Sequence, residues 1–84
     1  MKPIRLTNHA IEQCVERGTN EMEVKIAIEK GSREPAKKGR EMRRFNFAYN
    51  QNWQGNIYAI KQVAPIIKEE PDEIIVITVY TYYF

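Results

Sequence analysis

The C-terminal segment of this sequence, residues 74–84, restricts the fold more than any other. It consists almost entirely of β-branched and aromatic residues, which are typical of strands. A helix needs about 20 apolar residues to cross a membrane, so this segment is too short to do so. We therefore predict a buried final strand over Ile74–Tyr82 and no contact with a membrane.

Alternation along this strand assigns its side chains to two faces of a sheet. We expect Ile75, Ile77 and Val79 to pack under helices. The opposite face changes from aliphatic to hydroxyl-bearing along its length and carries Ile74, Val76, Thr78, Tyr80 and Tyr82. A row of hydroxyl groups is either partly solvated, as in many antiparallel sheets, or the lining of a concave polar site.

The N-terminal part of the chain predicts two short helices. Thr7 or Asn8 can cap the first helix, and Gly18 can end it in a left-handed conformation. An apolar arc of Ala10, Ile11, Cys14 and Val15 makes this helix amphipathic.

The second helix is predicted between a capping box and a glycine. Asn20 and Glu23 have the spacing of the box, and Gly31 ends the pattern. Met22 and Ile26 lie opposite the stripe formed by Val24, Ala27 and Ile28. A helix that is apolar on two sides predicts burial between the first helix and the sheet.

Three further segments predict strands. Ser32–Lys37 indicates an edge strand because Pro35 cannot donate to a ladder. Met42–Tyr49 alternates with period two, Ile57–Val63 follows after a polar turn, and Pro65 marks an end or a bulge. Together the patterns predict an α+β fold, with two N-terminal helices packed on a curved antiparallel sheet of three to four strands, and a single domain over residues 1–84.

Composition narrows the class of protein further. A hydrophobic fraction of 43% in 84 residues is that of a globular domain. One cysteine, Cys14, cannot form an internal disulfide, and we expect it to be a small core residue. Cys14 and a single histidine are too few for a structural zinc site, which takes about four ligands. A loop that binds the phosphates of a cofactor needs closely spaced glycines, and the four glycines here are scattered. We therefore expect no cofactor and no metal. The absence of a signal sequence favours a cytoplasmic location.

Positive charge is concentrated in the middle of the chain, although the net charge is only +2. Glu34 and Glu41 are the carboxylates of this segment, and its cations are Arg33, Lys37, Lys38, Arg40, Arg43 and Arg44. Such a basic strip favours contact with a polyanion, while a solvated surface is the alternative. The candidate RNA-binding residues are Lys37, Lys38, Arg40, Arg43 and Arg44.

Aromatic residues follow the basic strip, and cations interleaved with aromatics suit single-stranded RNA. The alternation predicts that Phe45, Phe47 and Tyr49 belong to the core. Trp53, in a polar turn, is the better candidate for an exposed ring, unless it folds back onto the sheet.

Three short motifs resemble those of a known family. Residues 6–10 read Leu-Thr-Asn-His-Ala, residues 16–18 read Glu-Arg-Gly, and residues 76–80 read Val-Ile-Thr-Val-Tyr. This arrangement resembles a small bacterial family of unknown function that is similar to the barnase, EndoU, colicin and RelE group of ribonucleases. The resemblance implies a metal-independent ribonuclease of the toxin type, with RNA and an antitoxin-like protein as partners.

Metal-free RNA cleavage needs a base, an acid and positive charge near the phosphate. Histidine is the residue type suited to act as base or acid near neutral pH, and His9 is the one histidine of the sequence. Arg17 and Arg44 carry charge, and Thr78 and Tyr80 offer hydroxyl groups. The candidate catalytic residues are His9, Arg17, Thr78 and Tyr80. His9 lies in the polar arc of the helix, about two turns from Arg17, so it reaches the hydroxyl row only from the very start of the helix. The alternative function is a non-catalytic module that binds RNA or protein.

Overall fold

The computed structural model describes residues 2–84, which form two helices, five strands and one 3-10 turn. The helices are α1 (Asn8–Arg17) and α2 (Glu21–Lys30). The strands are β1 (Ile4–Leu6), β2 (Ser32–Pro35), β3 (Glu41–Trp53), β4 (Asn56–Glu69) and β5 (Ile74–Tyr83). The 3-10 turn, Lys37–Gly39, lies between β2 and β3.

The five strands of the described residues form one mixed sheet in the order β1-β5-β4-β3-β2. This confirms the α+β class with two helices, but the expectation of a purely antiparallel sheet of three to four strands is wrong. Strand β1 runs parallel to β5, with Ile4 opposite Ile74 and Leu6 opposite Val76. A strand of three residues is too short to show a period-two pattern, so β1 was not predicted.

Both helices begin and end where their capping residues predict. The Thr7 hydroxyl accepts a hydrogen bond from the Ala10 N–H, and Asn20 Oδ1 accepts one from the Glu23 N–H at 2.9 Å. Gly18 ends α1 with a φ of 75°, a conformation that favours glycine. A Cβ at this position would also come within 2.5 Å of the Trp53 ring.

The helices cover one face of the sheet and enclose the core between them and the strands. The core residues are Ala10, Cys14, Val24, Ala27 and Ile28 from the helices and Val63, Ile67, Ile74, Val76 and Val79 from the sheet. The expected burial of α2 on two sides is wrong, because Met22 is 72% exposed. Neither helix of residues 2–84 has the length and apolar character needed to cross a membrane.

A bulge in β5 changes which side chains face the helices. Ile66 pairs with Thr78 and Ile67 pairs with Val76, so Ile77 is an extra residue in β5. An extra residue reverses the alternation of faces beyond it. The helices therefore cover Ile74 and Val76 before the bulge and Val79 after it, and the expectation that Ile75 and Ile77 lie with Val79 under the helices is wrong.

Side chains of α1 take the place of a neighbouring strand along β5. Beyond Val76, β1 no longer pairs with β5. There the Gln13 Oε1 accepts from the Val79 N–H at 2.7 Å, and Arg17 donates to the Val79 carbonyl at 2.7 Å. The Thr7 hydroxyl donates to the carbonyl of Ile77 at 3.2 Å. The first helix is thus attached directly to the backbone of the last strand.

The β3–β4 hairpin is longer than predicted and closes in a two-residue turn. Gln54 and Gly55 have φ values of 50° and 92°, as the tight turn of a two-residue hairpin requires. Trp53 folds back onto the sheet, where it stacks on Tyr83 with ring centroids 4.8 Å apart. Phe45 and Phe47 pack against the core as expected.

Candidate functional site

The face of the sheet away from the helices, called the outer face below, collects the polar candidates of three strands. The strand registers align three rows of side chains across β3, β4 and β5 on this face. The rows are Met42–Ile66–Thr78, Arg44–Ala64–Tyr80 and Asn46–Gln62–Tyr82. No helix of the described residues covers this face. The hydroxyl-bearing row predicted from the sequence therefore lies together on one open surface.

The connection between β2 and β3 folds over this face. The Ala36 N–H donates to the Arg40 carbonyl at 2.9 Å and the Arg40 N–H donates to the Lys37 carbonyl at 3.2 Å, which closes the connection into a compact loop. The loop and the sheet enclose a groove of about 280 Å³, called the outer groove below. Its lining residues are Ala36, Lys37, Arg40, Met42, Ile66, Thr78 and Tyr80.

The chemistry of the outer groove is that of an anion site with an apolar floor. Lys37 and Arg40 supply charge, Thr78 and Tyr80 supply hydroxyl groups, and Ile66 lies buried beneath them. Pockets that enclose a whole small ligand measure about 300–1,000 Å³. The outer groove is at the lower limit of this range, so it suits one part of an extended ligand.

Arg17 connects the helix to the outer face. Its guanidinium donates to the Val79 carbonyl and lies over the Tyr80 ring, with Cζ 5.0 Å from the ring centroid. The backbone carbonyl of Arg17 accepts from Thr81 and from the Tyr83 hydroxyl at 2.6 Å. The guanidinium is fixed in position and adds positive charge beside Tyr80.

Arg44 has a similar position beside Tyr82, the next outer-face tyrosine of β5. It donates to Gln62 at 2.8 Å and to Glu34 at 3.1 Å, and its Cζ lies 5.5 Å from the centroid of the Tyr82 ring. The hydrogen bond with the Glu34 carboxylate raises the pKa of the Arg44 guanidinium. Arg17 and Arg44 therefore each lie over a tyrosine of β5.

Thr78 differs from its neighbours because its hydroxyl already has a partner. It donates to the Oε1 of Gln13, the same atom that accepts from the Val79 N–H. The hydroxyl oxygen of Thr78 keeps free acceptor capacity. Gln13 was not a candidate from the sequence, because a glutamine in the polar arc of a helix carries no signal that it will bind the backbone of a distant strand.

Arg43 does not belong to this surface. It is 4% exposed and lies under α2, where it donates to the Ile28 carbonyl and pairs with Glu41. A cation near the last carbonyls of a helix stabilises the helix end. Alternation explains the difference, since Arg43 and Arg44 are adjacent on β3 and must point to opposite faces.

The remaining candidates are exposed. Lys38 lies at the tip of the β2–β3 loop with a φ of 61° and does not line the outer groove. His9 is the second residue of α1, exposed, and one helical turn before Gln13. Side chains four residues apart are neighbours on a helix, so His9 lies next to the side chain that holds Thr78.

Comparison of this chain with protein-family models, with curated proteins and with solved structures found no match. The resemblance to ribonuclease toxins, and with it the antitoxin-like partner, therefore stays a prediction from the sequence motifs.

Proposed function

We propose that this protein binds RNA along the outer face of its sheet. The observation that carries the proposal is the convergence of Lys37 and Arg40, from the β2–β3 loop, with Tyr80 of β5 around one groove, beside the guanidinium of Arg17. These residues come from distant parts of the sequence. Lysine and arginine side chains are donors that bind phosphate oxygens.

The charge around the outer groove supports this assignment. Lys37 and Arg40 make no ion pair within residues 2–84, so both can pair with an anionic ligand. Arg17 of α1 and Arg44 of β3 add cations beside Tyr80 and Tyr82 of β5. A basic surface of this kind attracts nucleic acid even when the net charge of the protein is small. The choice of RNA among polyanions rests on the resemblance to ribonucleases.

The test is a binding titration of a fluorescein-labelled RNA, followed by anisotropy at several salt concentrations. We expect the affinity to fall linearly with the logarithm of salt concentration, with a slope of about 0.7 for each phosphate contacted in a single strand. Substituting both Lys37→Ala and Arg40→Ala should weaken binding about tenfold and lower the slope by about 1.4.

The matched control removes the same charge from the other side of the molecule. Lys25→Ala with Lys30→Ala changes two cations of α2, and binding should stay within about twofold of the unaltered protein. Equal weakening by both double variants would mean that RNA affinity depends only on the net charge of the protein and not on the outer groove. Absence of any salt-dependent binding would refute the proposed function.

Cleavage of the bound RNA is a second candidate, favoured by the position of His9 one helical turn before Gln13, the side chain that accepts from Thr78. In this reaction the RNA 2′-oxygen attacks the neighbouring phosphorus, and His9 accepts the proton of that hydroxyl. The bond from phosphorus to the 5′-oxygen breaks, and the leaving oxygen takes a proton from water or an acidic side chain. Arg17 supplies positive charge, and the products carry a 2′,3′-cyclic phosphate and a 5′-hydroxyl.

Incubation of RNA with the purified protein in EDTA tests this candidate. We expect 2′,3′-cyclic phosphate ends that His9→Ala reduces at least a hundredfold, since general base catalysis contributes about 10²–10⁴. Glu12→Ala, on the same helix, is the control and should leave the rate unchanged. Intact RNA, or equal cleavage by His9→Ala, would limit the function to binding.

A further inference from the structure

We infer that the RNA bound by this protein is single-stranded, and that two of its bases stack on the rings of Tyr80 and Tyr82. This inference rests on the RNA binding proposed above and adds which form of RNA is bound and by which atoms. The sequence predicted Tyr80 as a catalytic residue that offers a hydroxyl group, and Trp53 as the better candidate for an exposed ring unless it folds back onto the sheet. The geometry points to different roles for both.

The two tyrosines form a regular platform. They alternate on β5, so both side chains lie on the outer face, at a spacing of about 6.8 Å along the strand. Tyr80 is 37% exposed and Tyr82 is 41% exposed, whereas Trp53 already stacks on Tyr83. Two rings of the outer face are therefore accessible to a ligand, and the Trp53 ring is occupied.

Each of these rings carries a guanidinium on one side. Arg17 lies over Tyr80 and Arg44 lies over Tyr82, at 5.0 and 5.5 Å from the ring centroids. A cation over one face of an aromatic ring leaves the opposite face for another planar group. A nucleobase is such a group, and its phosphate is attracted by the guanidinium of Arg17, which forms no ion pair within residues 2–84.

The platform is held in place before any ligand binds. Arg17 is fixed by the Val79 carbonyl, and Arg44 is fixed by Gln62 and Glu34. Both tyrosines belong to a strand paired with the central strand β4. Binding then orders few side chains, and this lowers its entropic cost.

Stacking on a protein ring selects single strands. In a duplex both faces of each base are covered by neighbouring bases, so only unpaired bases can stack on side chains. Stacking tolerates every base because each base has a flat aromatic face. We therefore expect little preference among sequences and a clear preference for single strands over duplex.

Anisotropy titrations with a labelled eight-nucleotide RNA, single-stranded or annealed to its complement, test this inference. We expect the single strand to bind at least tenfold more tightly than the duplex. Tyr80→Leu and Tyr82→Leu should each weaken single-strand binding about tenfold, while Tyr80→Phe and Tyr82→Phe should stay within about twofold. Tyr49→Leu, which removes a tyrosine of β3 that contacts Tyr83 on the helix side, is the control and should bind normally.

The outcomes separate the two proposals. Salt-dependent RNA binding that is unaffected by the two leucine variants, or equal for duplex and single strand, would overturn the stacking inference and leave the proposed function intact. Absence of salt-dependent binding to either form would overturn both. Circular dichroism of each variant confirms that the fold is retained before binding is compared.

Discussion

Adjacent residues of one basic strip have opposite roles in this protein. Arg44 lies on the outer face among polar neighbours, whereas Arg43 is buried under α2 and donates to the Ile28 carbonyl. A guanidinium that bonds a helix carbonyl and a carboxylate replaces the water that both groups would otherwise bind. The charge of a residue alone therefore does not predict whether it binds a ligand.

Removing Arg43 should destabilise the fold. In Arg43→Ala the Ile28 carbonyl loses its donor and Glu41 loses its partner, and we expect the free energy of unfolding to fall by about 2 kcal/mol. Urea denaturation measures this change. Arg33→Ala is the control, because Arg33 pairs with Arg43 across β2 and β3 but is exposed. Its effect should stay within about 0.5 kcal/mol, and equal losses for both variants would contradict the assigned role.

At the scale of elements, the edge of β5 is the feature that connects fold and site. An unpaired strand edge invites pairing with another chain. Here α1 covers that edge with side chains, since Gln13 accepts from the Val79 N–H and Arg17 donates to its carbonyl. The same contacts hold Thr78 and Tyr80 at the outer groove, so the helix both closes the sheet and positions the candidate site.

Gln13→Leu tests this closure with a side chain of similar size. The Val79 N–H loses its acceptor, and we expect the free energy of unfolding to fall by about 1–2 kcal/mol. Hydrogen exchange at the Val79 amide should accelerate more than exchange in β3. Glu12→Ala, an exposed change on the same helix, should alter neither quantity. A Val79 amide that stays fully protected in Gln13→Leu would show that the glutamine is dispensable.

These elements were predictable to different degrees. Helix ends depend on nearby residues such as Thr7, Gly18 and Asn20, and their positions were predicted correctly. Strand β1 depends on pairing between residues 70 positions apart, such as Ile4 and Ile74, and the bulge at Ile77 depends on the register of β5 against β4. No local pattern carries that information, so the inward-facing residues of the first half of β5 were assigned to the wrong face.

At the scale of the whole molecule, the core connects the stability of the fold to pH through Cys14. Burial in this core raises the pKa of the Cys14 thiol, and the carboxylates of Glu21 and Glu23 raise it further. A thiol with a folded pKa above its unfolded value contributes stability that is complete below about pH 8.5 and is lost as pH rises through the folded pKa.

The free energy of unfolding should therefore decline from about pH 8.5 upward, as measured by urea denaturation at a series of pH values. In Cys14→Ala the decline that belongs to the thiol should be absent, whatever the starting stability of the variant. Tyr83, whose pKa burial also raises, contributes only above about pH 10. Identical slopes for both proteins between pH 8.5 and 10 would contradict this prediction.

The candidate site shows the same division between local and distant information. The hydroxyl groups of Thr78 and Tyr80 and the cations Lys37, Arg40 and Arg44 were identified as candidates from residue type and alternation. Their meeting on one face depends on how the β2–β3 loop folds over β4 and β5, which the sequence does not indicate. Packing of the helices on the sheet likewise buries Arg43 away from the candidate site and brings Gln13 to the backbone of Val79.

Local sequence patterns were enough to predict the α+β class, the ends of both helices and the shared face of Thr78, Tyr80 and Tyr82. These features follow from caps, periodicity and turn residues, which act over a few positions. The five-strand order, the bulge at Ile77 and the convergence of Lys37 and Arg40 with Tyr80 became visible only in the folded molecule. Such features depend on strand register and packing, where the free energy of contacts between distant residues outweighs local preference.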